Sequence, residues 1–193
     1  MLLLAATLVA SPLIGLGTSP TAQDSTRTMN GVTMPETITV GEQTLSLNGM
    51  ALRKKFVFKV YVAGLYVATR STSPDEILGA DAPRRMVMHF VRSVDKGKIC
   101  DGWLEGLEKN TPDPSAELKG QFSQLCDLTT DIKDGESFAF TYVPGTGTTV
   151  DVAGVEKGTI AGKEFADAML RCWIGPKPGP GDGFKKDVLG VAD

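Results

Sequence analysis

With 193 residues the chain is long enough for one domain with a sizeable core, and a net charge of -3 gives nothing to draw it to nucleic acid. Its basic residues are scattered or confined to short runs, so the extended basic stripe of a nucleic-acid-binding face is missing. An apolar share of 41% beside 22% charged residues excludes a disordered or fibrous chain and fits an ordinary globular protein.

The first stretch, Met1 to Gln23, is apolar and small, then turns to Ser, Thr and Pro. It resembles the hydrophobic region of an export signal, with Ser19-Pro20-Thr21-Ala22 as the cleavage zone. The basic start of such a signal is missing, so either the true start lies upstream or the segment is no signal. Export to a periplasmic or secreted location is the expectation, against the alternative of an N-terminal element of the fold. Pro12, Gly15 and the shortness of the run argue against a stable membrane span. Residues 1–30 are read as signal and linker and residues 31–193 as the domain.

Thr37–Val40 and Gln43–Leu47 alternate apolar and polar side chains around Gly41-Glu42, which predicts a hairpin. The stretch Leu47–Val67 then predicts one long central strand. It opens on Asn48-Gly49 and the basic cluster Arg53-Lys54-Lys55, and its β-branched and aromatic residues favour strand over helix. By parity Phe56, Phe58, Val60, Val62, Gly64 and Tyr66 should meet a core, while Val57, Lys59, Tyr61, Ala63, Leu65 and Val67 should face a cleft or solvent. Ser73-Pro74-Asp75-Glu76 is a capping box opening a short helix. Arg85–Arg92 predicts a strand, Lys96–Lys109 a helix, and Asp113-Pro114 starts a second helix carrying Leu118, Phe122 and Leu125 on one face. Ser137–Val143 and Thr148–Ala153 form a hairpin across Pro144-Gly145-Thr146-Gly147, with a further short strand at Gly158–Ile160. Ala161–Ile174 predicts a helix, ended by the Gly/Pro run from Gly175, and Phe184–Leu189 a short docking segment. This order predicts an α+β domain with helices gathered on one face of a largely antiparallel sheet.

Conspicuous chemistry is sparse. The single histidine, His89, sits mid-strand, where a structural role is the expectation. No nucleophile elbow, zinc-protease helix or phosphate-binding glycine loop occurs, and neither a metal site nor a cofactor is implied. Cys100, Cys126 and Cys172 lack metal-ligand spacing and read as three buried thiols; a Cys100–Cys126 disulfide requires their two helices to pack together. Arg53, Lys59 and Tyr61 share one parity, and a guanidinium and a phenol on one side of a strand could hold a carboxylate, a phenolate or an enolate. The other reading is a solvated turn at Arg53-Lys54-Lys55 with Lys59 snorkelling at a sheet edge.

Gly49-Met50-Ala51-Leu52-Arg53 followed by Phe56–Tyr66, and later Gly162–Pro176, resemble the hallmark segments of chalcone isomerase-fold proteins, the bacterial chalcone isomerase-like proteins above all. The likeness runs from about Val32 to the C-terminus. It implies an open-faced β-sandwich, with a large antiparallel sheet covered on one face by a layer of helices and a ligand cleft between. Arg53 falls where the plant enzymes place a substrate-contacting arginine, Tyr61 where they carry a threonine, and Cys172 where a late-helix Ser or Thr shapes specificity. Asp95–Glu105 lacks the Tyr and Asn that the plant enzymes carry in the matching region, so no catalytic residue is assigned. Fatty-acid-binding members of the fold pair an arginine with a tyrosine, and Arg53 with Tyr61 resembles that arrangement better. Three readings follow. The first is non-catalytic binding of a small amphipathic anion by Arg53, Tyr61, Lys59 and Cys172, with Val57, Leu65 and the helices along its tail. The second is an isomerase or lyase for a chalcone-like or enone compound. The third is a structural envelope protein whose cleft is filled by side chains.

Overall fold

The computed structural model describes residues 25–191. The expected export signal, up to Gln23, lies outside the described residues. Thr26–Met29, expected as linker, forms strand β1, paired antiparallel with β2 (Val32–Pro35). A seven-stranded sheet follows in the order β3 (Thr37–Val40), β4 (Gln43–Lys55), β5 (Phe58–Val67), β6 (Arg84–Phe90), β7 (Ser137–Val143), β8 (Gly147–Val152) and β9 (Val155–Ile160). Each neighbouring pair is antiparallel. The helices are α1 (Pro74–Gly79), α2 (Lys96–Asn110), α3 (Ala116–Leu128), α4 (Lys163–Ile174) and α5 (Asp182–Val188). This is the expected α+β architecture.

The single long strand expected over Leu47–Val67 is instead the two arms of a hairpin. β4 and β5 turn back on each other at Phe56 and Val57, with Lys55 opposite Phe58. No Gly, Asn or Pro marks that turn, and the apolar run passes through it unbroken, so periodicity alone carries the strand across. Phe56 makes the turn at φ +56°.

Both faces of β5 are covered, which corrects the expectation of one core face and one open face. Val62 and Tyr66 pack with Leu45, Leu47 and Met50 beneath Val32 and Met34 of the β1–β2 hairpin. The Tyr66 hydroxyl donates to the Pro35 carbonyl at 2.9 Å. The opposite face, Ala63, Leu65 and Val67, joins the main core. There β6 to β8 present Met86, Met88, Phe90, Phe138, Phe140, Val150 and Val152 to side chains of all five helices. Phe122, Phe138, Phe165 and Trp173 are fully buried, and each such side chain contributes about 1.5–3 kcal/mol by leaving water. His89 points to the other face, where its Nδ1 meets the Ser137 hydroxyl at 3.1 Å, in keeping with a structural role.

A β-bulge between Leu47 and Gly49 lets β4 serve both cores. Asn48 at the bulge accepts from the Ser71 N–H at 2.9 Å and donates to the Val188 carbonyl at 3.3 Å. Gly49 is needed because α5 crosses there: a Cβ would lie 2.2 Å from the Asp187 carbonyl oxygen. The capping box is half made, since the Ser73 hydroxyl accepts from the Glu76 N–H while the Glu76 carboxylate accepts from Ser71. Cys100 on α2 and Cys126 on α3 form a disulfide with Cα atoms 5.2 Å apart, which corrects the expectation of three free thiols. Among the described residues no helix is long and apolar enough to cross a membrane.

Candidate functional site

Arg53 and Tyr61 are directly opposed across β4 and β5, so antiparallel pairing, and not continuation of one strand, puts them side by side. Tyr61 packs against the main core under the helices. Its ring lies against Phe90 at 5.3 Å and edge-on to Phe184 at 6.1 Å between centroids. The indole N–H of Trp173 donates to its hydroxyl at 3.0 Å. That hydroxyl still holds its own proton, and among the described residues no acceptor takes it.

The Arg53 guanidinium donates through Nη1 to the Gly179 carbonyl at 2.7 Å. Among the described residues it has no carboxylate within ion-pair distance. A half-buried cation is therefore held by a loop carbonyl alone. That loop is itself fastened. Asn110 accepts from the Lys177 N–H at 2.8 Å and donates to the Lys177 carbonyl at 2.9 Å, and Lys185 donates to the Gly175 carbonyl at 3.0 Å. Gly179 N–H returns to the Cys172 carbonyl at 2.9 Å.

Cys172 is buried one position before Trp173, against Gly106 of α2, where a Cβ would lie 2.6 Å from its sulfur. The small residue lets α2 and α4 approach closely at the site. Burial pushes the Cys172 thiol up to about 12, so it is an inert packing group and not a nucleophile. Of the four candidate residues the fold gathers Arg53, Tyr61 and Cys172. Lys59 stands apart on the exposed hairpin end, opposite Lys54. Val57 is also there, 85% exposed, and lines no cleft, whereas Leu65 is in the main core. Trp173, Phe184 and Asn110 complete the site. Sequence patterning placed Trp173 in a helix and Phe184 in a docking segment and gave Asn110 no role, because the partners of Asn110 and Trp173 at the site lie 67 and 112 positions away.

Between sheet and helices the side chains pack into one buried cluster. A cavity of about 20 Å³ remains behind Trp173, lined by Leu65, Met86, Phe140, Met169 and Leu170, enough for about one water. A larger hollow of about 200 Å³ lies at the far ends of β5 and β6, beside α1 and Arg84. It holds none of the candidate residues; Arg53 and Tyr61 are the candidate charge and phenol that strand pairing brings together.

Burial is the main reason the Tyr61 phenol is pushed from 10.0 up to about 12, only partly offset by the Trp173 bond and the Arg53 charge. Tyr66 is raised to about 12 by burial, and Tyr142 likewise by burial and by the Asp81 carboxylate it donates to. At neutral pH Tyr61 is thus a hydrogen-bond donor and not a base. Folding stability should be unaffected by these phenols below pH 10, and fall between about 10 and 12 as the unfolded chain loses protons the folded chain keeps. Spectrophotometric titration checks this: native protein should show no phenolate near pH 10, and denatured protein should titrate there. A native tyrosine titrating near 10 would contradict the enclosed geometry.

A family profile described as chalcone isomerase-like matches residues 26–190. No curated relative matches the chain. Among solved structures the chain is similar to a fatty-acid-binding protein of Arabidopsis thaliana, at 16% identity and a TM-score of 0.68, over 86% of this chain and 96% of that one. At that identity the likeness shows a shared fold.

Proposed function

The chain belongs to the chalcone isomerase-like family, and from that premise we propose that it binds a small amphipathic anion of fatty-acid type without transforming it. One observation carries the reading. Arg53, a half-buried guanidinium with no carboxylate within ion-pair distance, stands beside a phenol whose proton has no acceptor, both among the described residues. Together they present charge-assisted and neutral donors to one carboxylate. The apolar surroundings of Tyr61 suit the start of an alkyl tail. The fatty-acid-binding protein that shares the fold supports this choice of ligand class.

Binding requires the present closed packing to open. The segment to move is the Gly175–Gly181 loop with α5, whose carbonyl at Gly179 occupies the Arg53 guanidinium. A carboxylate replaces that carbonyl with a stronger acceptor. Isomerase chemistry receives less support, since Tyr61 and Cys172 stay protonated at neutral pH and His89 lies on the other face of the sheet. The filled-cleft structural role has one specific observation in its favour, the cavity of only about 20 Å³. Export into an oxidising compartment is part of the proposal and is supported by the disulfide.

Calorimetric titration with palmitate tests the reading. Wild type should bind, and Arg53→Ala should weaken binding by roughly tenfold to a hundredfold, the worth of a hydrogen bond to a charged group. Tyr61→Phe should weaken it by a few-fold. Gly49→Ala, which pushes on α5, should speed association. Absence of binding in all four proteins would establish the filled cleft. Turnover of a chalcone that is lost in Arg53→Ala would establish the isomerase.

A further inference from the structure

The β4–β5 hairpin ends in a tip that the rest of the fold does not use. Phe56, Val57 and Phe58 are 89%, 85% and 57% exposed, a run of three large apolar side chains in water. Phe56 takes φ +56°, a conformation that two-residue hairpin turns usually give to Gly or Asn. A bulky residue there is strained, and the strain is relieved by nothing in the fold. The flanks are basic. Lys54 and Lys59 are directly opposite each other, a like-charge pair that weakens the hairpin, and Lys55 is opposite Phe58. The Arg92 guanidinium lies 4.8 Å from the centre of the Phe58 ring. The carboxylate felt by Lys55 and Arg53 is Glu105 of α2, and it is already bridged to Lys109 at 2.5 Å.

Three features that each work against the isolated protein thus coincide on the six residues from Lys54 to Lys59. We propose that this tip docks the protein on an anionic phospholipid surface. Phe56, Val57 and Phe58 enter the boundary between headgroups and acyl chains, and Lys54, Lys55, Lys59 and Arg92 lie against the phosphates. Charge and size both select this occupant. The tip is basic, so its partner is acidic, and a second copy of the same tip would be repelled. Its apolar part is three residues, far short of the roughly 800 Å² per partner of a stable protein interface, whereas a lipid surface needs no matching shape. Docking would bring the base of the hairpin, with Arg53, towards the membrane, but it does not depend on the ligand proposed above.

Co-sedimentation of the full chain with vesicles of phosphatidylglycerol and phosphatidylcholine, beside vesicles of phosphatidylcholine alone, tests this. Wild type should partition onto the mixed vesicles, weakly onto the neutral ones, and come off as salt is raised. Phe56→Gly/Phe58→Ser should reduce partition by about tenfold; glycine accepts the positive φ, so the turn should persist. Lys54→Gln/Lys59→Gln removes the repulsive pair and should also reduce partition by about tenfold while holding or raising the thermal midpoint. Every variant keeps the same N-terminal segment and the same Arg53 and Tyr61, so the difference reads the tip, and palmitate affinity should be unchanged. Equal partition onto neutral and mixed vesicles, or variants that partition like wild type, would overturn the proposal. So would a concentration-dependent dimer in sedimentation velocity that Phe56→Gly/Phe58→Ser abolishes, which would assign the tip to a second copy.

Discussion

Replacing Asp167 with Ala is expected to lower the unfolding free energy by roughly 3–5 kcal/mol, the usual consequence of stranding a buried charge. Asp167 on α4 bridges two cations. One carboxylate oxygen is bound to the Arg84 guanidinium at the start of β6, and the other accepts from Lys163 at 2.7 Å. Arg84 is only 5% exposed, so its charge would be left largely out of bulk water. Its remaining contacts are the Tyr142 ring at 4.8 Å and the Ile77 carbonyl at 3.4 Å, and neither carries a full negative charge. Lys163 loses less, because it is partly exposed and also donates to the Leu78 carbonyl at 2.5 Å. Urea unfolding measures the difference. The double substitution Arg84→Met/Asp167→Leu should recover most of it, since apolar side chains of similar volume need no solvation. A loss below about 1 kcal/mol for Asp167→Ala would mean that Arg84 reaches water after all. The same helix carries Cys172 and Trp173, so this ion pair also fixes the roof of the candidate site.

Removing the Cys100–Cys126 disulfide, by Cys100→Ser/Cys126→Ser or by reduction, should cost about 3.5 kcal/mol. The bond closes a loop over a sequence separation of 26 and ties α2 to α3. Without it the unfolded chain regains that loop's freedom, while the helices keep their apolar contacts through Ile99, Trp103, Leu118 and Phe122. Thiol labelling gives an independent check. Native protein should take up no reagent, because Cys172 is buried with its thiol raised to about 12. Unfolding without reductant should expose one thiol, and unfolding with reductant all three. Three thiols reacting without reductant would contradict the bond.

Much of the fold can be read locally. The hairpin at Gly41-Glu42, the Ser73 cap with Pro74 after it, and the apolar face of α3 each follow from neighbours within a few positions. Where local signals fail, a distant partner decides. Phe56-Val57 carries no turn residue, yet the chain reverses there because the register from Ser46–Val67 to Lys55–Phe58 closes only that way. Lys59 shares parity with Tyr61, but the bulge between Arg53 and Lys54 and the exposed position of the tip keep it out of the site. Parity gave one covered face to β5, whereas the β1–β2 hairpin and the helical layer cover both.

By itself the sequence determined the α+β class, the family likeness, and the choice of Arg53 and Tyr61 as candidate residues, because these rest on residue type and spacing along short segments. Only the tertiary structure decided what those two residues do in the folded chain. It set Arg53 on the Gly179 carbonyl, Tyr61 under the Trp173 indole, and the lysine-flanked tip in water. The partners involved are separated by 126 and 112 positions, and no periodicity links residues at that distance. Their meeting is fixed by how α4 and α5 pack on the sheet, where burial of apolar surface outweighs every local preference.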